Sequence, residues 1–278
     1  MDKNNTKNMP KVKDIIMIAM IIILGLVTIL LEVVPIKGFK DGFYNVIITK
    51  ILQQSCGIGA AVLLMLKSKI KLFSKPTHLL YLIPCLIIAV DNFPFWSYFS
   101  GNMHLIRKDA LDFILFGAYC LSVGIFEECI FRGIIFSVLA SRLSRDKKGF
   151  ILTYVVSSFI FGAAHLFNGF NAGVLLQICY TTLTGGLFAF ALIKTKNIFC
   201  SGIIHAIYNF CGLVLAETGN GMIGLGSGIV FDVGTTVTMA IISVVVGVFV
   251  LYKVFKCPNE EIKELYAKLG VKFKEKEE

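Results

Sequence analysis

Residues 125 to 133 read Ile125-Phe-Glu-Glu-Cys-Ile-Phe-Arg-Gly133, three charges set deep inside a long apolar run from Leu111 to Leu139. About 20 such residues suffice to cross the hydrocarbon of a bilayer. A charged side chain near a bilayer centre costs from about 2.5 to over 10 kcal/mol, so residues of this kind are functional and partnered. Two questions follow: how many further spans surround the stretch, and which of them carry its partners.

The 278 residues are 56% hydrophobic and 16% charged, with a mean hydropathy of +0.79, whereas a soluble domain is about 25% charged. Apolar runs near spanning length recur along almost the whole chain. The expectation is an all-α, polytopic membrane helix bundle forming one domain. The net charge of +9 comes from short Lys/Arg clusters between the apolar runs rather than from one continuous basic stripe. That placement argues against a nucleic-acid partner and for the positive-inside pattern of a multi-pass protein whose first partner is the lipid bilayer. No small-residue cleavage site follows the first run and further spans do follow, so it reads as a retained helix. The eight cysteines form no CxxC pair and no zinc-like spacing, and they read as small buried hydrophobes.

Eight spans are expected: Ile15–Leu31, Phe43–Leu66, His78–Val90, Leu111–Leu139, Phe150–Phe167, Ala172–Ile193, Ile198–Ala216 and Val233–Leu251. Residues 1–14 form a cytoplasmic N-terminal segment, 15–252 the helical domain, and 253–278 a charged, helical cytoplasmic tail. Lys50 reads as an interface-snorkelling lysine, and Gln53 and Gln54 as amides bonded to neighbouring helices. With both termini inside, the inner segments hold 21 of the 27 Lys and Arg residues, and the outer loops hold only Lys37, Lys40, Arg107 and Lys108. The fourth span, at 29 residues, must tilt or protrude. No strand pattern and no internal repeat is visible.

Residues four apart share a helix face, so Glu128 and Arg132 are spaced for an ion pair in the favourable order, acid before base. One guanidinium for two carboxylates leaves Glu127 as the surplus acid, available for proton transfer. His78 and His104 fall near segment ends, while His165 and His205 fall inside the fifth and seventh spans. Phe161 lies four residues before His165 with small residues between them, and Asn209 four residues after His205. A carboxylate and an imidazole can polarise a water for attack on an amide carbonyl. A second imidazole and an amide can donate to the resulting oxyanion. Glu127, His165, His205 and Asn209 would then form a peptidase site lacking a serine or cysteine nucleophile. This requires all four at a common depth, and at about 1.5 Å of rise per residue His165 fits worst.

In this order the segments Glu127-Glu128-Cys-Ile-Phe-Arg132, Phe161-Gly-Ala-Ala-His165 and His205-Ala-Ile-Tyr-Asn209 resemble the EExxxR, FxxxH and HxxxN/D motifs of a known family. It is the CPBP, or Abi, family of CAAX prenyl and bacteriocin-processing intramembrane proteases, which includes the Ras-converting enzyme. The resemblance implies that Glu127 is the general base with His165, that His205 and Asn209 stabilise the oxyanion, and that Glu128 and Arg132 hold their span in place. It implies a membrane-associated peptide or protein substrate and a multi-pass location, here expected in a bacterial plasma membrane. Family members have been described both as metalloproteases and as glutamate-dependent peptidases. A Glu and two His are also a catalytic zinc set, so zinc at Glu127, His165 and His205 stays open, with the metal-free form favoured because Asn209 is a poor zinc ligand. The alternative is a non-catalytic bacteriocin immunity or peptide-binding membrane protein. A transporter is disfavoured by the lack of a repeat or paired interrupted helices.

Overall fold

The computed structural model describes residues 12–105, 109–170, 172–217 and 233–274. The N-terminal segment 1–11, Arg107 and Lys108, and the glycine-rich link Thr218–Gly228 lie outside the described residues. Along the chain run α1 (Val12–Val33), α2 (Gly42–Lys67), a 3-10 turn (Leu79–Tyr81) leading into α3 (Leu82–Asp91), and the short α4 (Phe95–Phe99). Then come α5 (Ala110–Glu128), a π-helical segment (Cys129–Ile135), α6 (Phe136–Arg142), α7 (Lys147–Ala163) and a 3-10 turn (Ala164–Asn168). The last helices are α8 (Ala172–Thr195), α9 (Ile198–Leu213), α10 (Val233–Phe255) and α11 (Asn259–Lys268). Six stretches are long and apolar enough to cross a membrane, among them the continuous Ala110–Arg142. Leu79–Asp91 and Ile198–Leu213 are shorter apolar helices. The eight apolar runs expected as spans all overlap helical segments, six of which have the length and apolarity to cross a bilayer with their backbone N–H and C=O groups satisfied internally.

Local chemistry sets several of the boundaries. Asp41 accepts from the backbone N–H of Phe43 at 2.9 Å, Asp146 from Gly149 at 2.9 Å, and Asn197 from Phe199 at 2.8 Å. Each is an N-cap satisfying a donor that the first helical turn leaves free. α5 and α9 approach closely at Gly124, where an added Cβ would stand 2.6 Å from the carbonyl oxygen of Gly202. α2 runs beside α5 and its continuation, with Gly57 against Phe126 and Met65 against Gly133. α8 packs against both α7 and α9, and Phe161, Phe188, Phe190 and Phe136 fill the core between them.

The links 68–78, 143–146 and 196–197 and the segment after α10 meet at one end of the bundle. There Thr77 N–H bonds the Thr195 carbonyl, the Asn197 amide donates to the Ser74 carbonyl, and Lys274 N–H bonds the Arg145 carbonyl. Lys50 forms part of a clasp: its Nζ is 2.6 Å from Glu32 Oε2, which also accepts from the Gln53 amide at 2.5 Å. That clasp ties the exposed α1 to α2.

Three features differ from the sequence expectation. A short antiparallel pair joins β1 (Met103–Leu105) to β2 (Leu215–Glu217); at three residues each, these strands are too short for a period-two pattern to show. The fourth span is not a uniform α-helix but widens into π geometry from Cys129 onward. The charged tail is anchored: Ile262, Leu265 and Tyr266 of α11 are buried, and Glu261 and Glu264 reach Lys194 at 2.7 Å and Lys196 at 2.9 Å. Burial pushes the Glu261 carboxyl up, but the hydrogen bond and charge of Lys194 outweigh it and leave the group below its ordinary value.

Candidate active site

Glu127 and Glu128 close α5, and the π segment begins at the next residue. Single π turns inside α-helices are frequent at functional sites, because the wider turn re-aims side chains. Glu128 is fully buried. Its Oε1 faces both Arg132 Nη1 and His205 Nδ1 at 3.1 Å, and its Oε2 accepts from the Ser201 hydroxyl at 2.5 Å. The Glu128–Arg132 pair expected from the four-residue spacing is therefore present, even though the backbone between them is π rather than α.

Arg132 is 1% exposed. Its Nη2 donates to the Gly185 carbonyl at 2.5 Å, and its guanidinium carbon lies 4.5 Å from the centre of the Phe161 ring. The Nη1 contact with Glu128 is ionic without hydrogen-bond alignment, and Nε has no hydrogen-bond partner. The Phe161 π-face therefore takes over part of the work of stabilising the buried cation. Phe161 thus does more than precede His165: its ring touches those of His165 at 5.5 Å, His205 at 5.6 Å and Phe131 at 4.9 Å.

His205 sits between the two carboxylates. Nδ1 faces Glu128, and Nε2 is 3.7 Å from Glu127 Oε2. Carboxylates only accept, so Nδ1 carries a proton toward Glu128. Phe188 stacks on the imidazole with centroids 4.3 Å apart and planes 18° from parallel, which fixes the ring plane. Glu127 differs from its neighbour: its side chain is 29% exposed, so it is the one acid of the pair reachable from outside the cluster.

His165 lies in the 3-10 turn after α7, a change from the continuous fifth span expected, and its Nδ1 is 3.2 Å from the Phe161 carbonyl. Among the described residues no carboxylate stands within ion-pair distance of it, so it joins the cluster through Phe161 and not through Glu127. Asn209 is half-buried, one turn beyond His205 on the same face of α9. Among the described residues no three His, Cys, Asp or Glu side chains are grouped closely enough to hold a metal ion. Glu127, His165 and His205 as placed therefore do not fit the zinc set considered from the sequence.

The structure adds three contributors that the sequence reading missed. Ser201 could have been found by extending the α9 stripe one turn back, since Ser201, His205 and Asn209 fall at four-residue intervals. Phe188 and the Gly185 carbonyl belong to α8, which carries no polar motif, and nothing in the sequence marks them.

A membrane-embedded helical bundle with carboxylates, a guanidinium and an imidazole joined in its core belongs to the class of intramembrane proteins that do chemistry or transport at a buried site. Residues 109–211 match the family described as type II CAAX prenyl endopeptidase Rce1-like. The match contains all three motifs, so this part of the chain is similar to the Rce1-like family of CAAX prenyl endopeptidases. No curated protein and no solved structure matches it.

Proposed function

We propose that the chain is an intramembrane endopeptidase that uses Glu127 to activate water against a peptide bond of a membrane-associated peptide or protein. One observation carries the proposal: of two adjacent glutamates, Glu128 is sealed among Arg132, His205 and Ser201 while Glu127 stays partly exposed beside His205. Glu127 takes a proton from the water, with His165 as its partner across the substrate. The hydroxide adds to the carbonyl, and the proton then passes from Glu127 to the leaving amine.

His205 stabilises the oxyanion. With Nδ1–H committed to Glu128, only the doubly protonated ring has an Nε2–H to donate. That form also balances the cluster, giving two carboxylates against one guanidinium and one imidazolium, the arrangement least costly in a low-dielectric site. The Asn209 amide supplies a second donor, and Glu128, Arg132 and Phe161 are positioning residues.

The test uses purified protein in proteoliposomes with membrane-anchored peptides, read by mass spectrometry of the fragments. The parent should cut, and folded His165→Ala and His205→Ala variants should each be slower by about 100-fold or more. Folded variants that cut as fast as the parent would overturn the assignment. A parent that binds such peptides without cutting them would instead make the chain a binding or immunity protein.

A further inference from the structure

We propose that Ser201 is a positioning residue of this site: its hydroxyl holds the Glu128 carboxylate in the rotation that keeps a proton on His205 Nδ1 and points Nε2 toward Glu127. The proposal rests on the mechanism above and adds a residue that none of the three motifs contains.

The geometry comes from both ends of the Glu128 carboxyl group. Oε1 is shared by His205 Nδ1 and Arg132 Nη1, both at 3.1 Å, so it carries two contacts of ordinary length. Oε2 has the shortest contact of the group, 2.5 Å from Ser201 Oγ. A hydroxyl donating to a carboxylate at that distance is a charge-assisted hydrogen bond, of the strong class. Without it Oε2 would be an unpaired oxygen in a wholly buried group, and the carboxylate would gain by rotating away from His205 to share both oxygens with Arg132.

Ser201 is itself completely buried, and its oxygen also lies 2.8 Å from the Phe188 carbonyl. Phe188 is the residue whose ring stacks on His205. One hydroxyl thus touches the backbone of the residue that fixes the imidazole plane and the carboxylate that fixes its proton. It stands one helical turn before His205 on α9, so its position relative to the imidazole is set by the helix and not by a loop.

Ser201→Ala removes the oxygen and adds no bulk. The expected result is a fall in kcat of about 10- to 100-fold with KM unchanged, as for the loss of one charge-assisted hydrogen bond felt in the transition state. Ser201→Thr, which keeps the hydroxyl, should recover most of the activity. In a Glu128→Gln background the same Ser201→Ala change should cost less than about 3-fold, because two residues acting through one contact are not additive.

A second readout needs no substrate. The chain has four histidines, so ¹⁵N spectra of histidine-labelled protein in micelles can assign the His205 ring by comparison with His205→Ala. In Ser201→Ala the Nδ1–H signal should weaken or move. Full activity in Ser201→Ala, effects of Ser201→Ala and Glu128→Gln that simply multiply, or an unchanged His205 signal would each overturn the proposal. A parent that cuts no membrane peptide would refute the protease mechanism, and the histidine spectrum would still decide the role of Ser201.

Discussion

Replacing Arg132 by methionine separates a buried cluster that holds itself together from one that merely fills space. Arg132 is 1% exposed and Glu128 is fully buried, so Arg132→Met leaves a buried carboxylate without its guanidinium. The change also removes the hydrogen bond to the Gly185 carbonyl and the stacking on Phe161. Deleting one partner of a buried ion pair costs about 3–5 kcal/mol, because the other charge is left uncompensated, whereas replacing both partners by neutral groups is often close to neutral. That corresponds to a shift of roughly 100- to 4,000-fold in the unfolding equilibrium. His205 and Ser201 still contact Glu128, which places the expectation near the lower end. Unfolding by denaturing detergent in mixed micelles, followed by circular dichroism, should show about 3 kcal/mol lost in Arg132→Met. The double variant Arg132→Met with Glu128→Gln should regain about half of it or more. A single variant within about 1 kcal/mol of the parent, or a double variant no more stable than the single, would refute the reasoning.

Two further predictions follow from packing and charge. Gly124→Ala should cost about 1–3 kcal/mol, because its Cβ would press on the backbone of α9 at Gly202 and Ala206. Gly25→Ala, which meets nothing within 4 Å, should be neutral or stabilising by up to about 1 kcal/mol, and thermal melts in micelles compare the two. At the tail, the Glu261 carboxyl titrates lower in the folded protein than in the unfolded chain, owing to Lys194. Its contribution is then fully present above the unfolded value and disappears as the pH falls through the folded one. Hydrogen exchange in α11 should rise on acidification, and Glu261→Gln should raise exchange at neutral pH and flatten that response. An α11 whose protection is independent of both would show that its apolar face alone holds it.

The parts of this protein that were legible in its sequence are those governed by one-dimensional rules. The spans could be read because a bilayer forces long apolar runs, and α2, α8 and α10 begin and end within a few residues of where hydropathy places them. Glu128 and Arg132 could be paired because a four-residue spacing is a geometric statement. The local setting of His165 could not be read, because the chain leaves α7 at Ala163 and tightens into a 3-10 turn that aims the side chain differently from a straight α-helix. The π segment left no trace because, Arg132 apart, Cys129–Ile135 is composed like an ordinary apolar helix. The contributions of Phe188 and Gly185 were invisible because one acts through a ring face and the other through a backbone carbonyl, which every residue possesses. The helix of the charged tail is present as α11, but its docking is not evident from the charge pattern: Ile262, Leu265 and Tyr266 fall within one helical turn of each other on a single face, a signal present but diluted by the surrounding charge.

The central claim is that Glu127, and not its buried neighbour, performs the proton transfer. Glu127→Gln is the most direct test, because the substitution keeps the size of a partly exposed side chain and leaves the Glu128–Arg132–His205 contacts in place. In proteoliposomes containing a membrane-anchored peptide that the parent cleaves, the variant should fold and melt like the parent while its kcat falls by about 100- to 10,000-fold, the range for loss of a general base. A folded Glu127→Gln variant that cleaves within about 3-fold of the parent would contradict the account, since no general base in that position would then contribute to the rate.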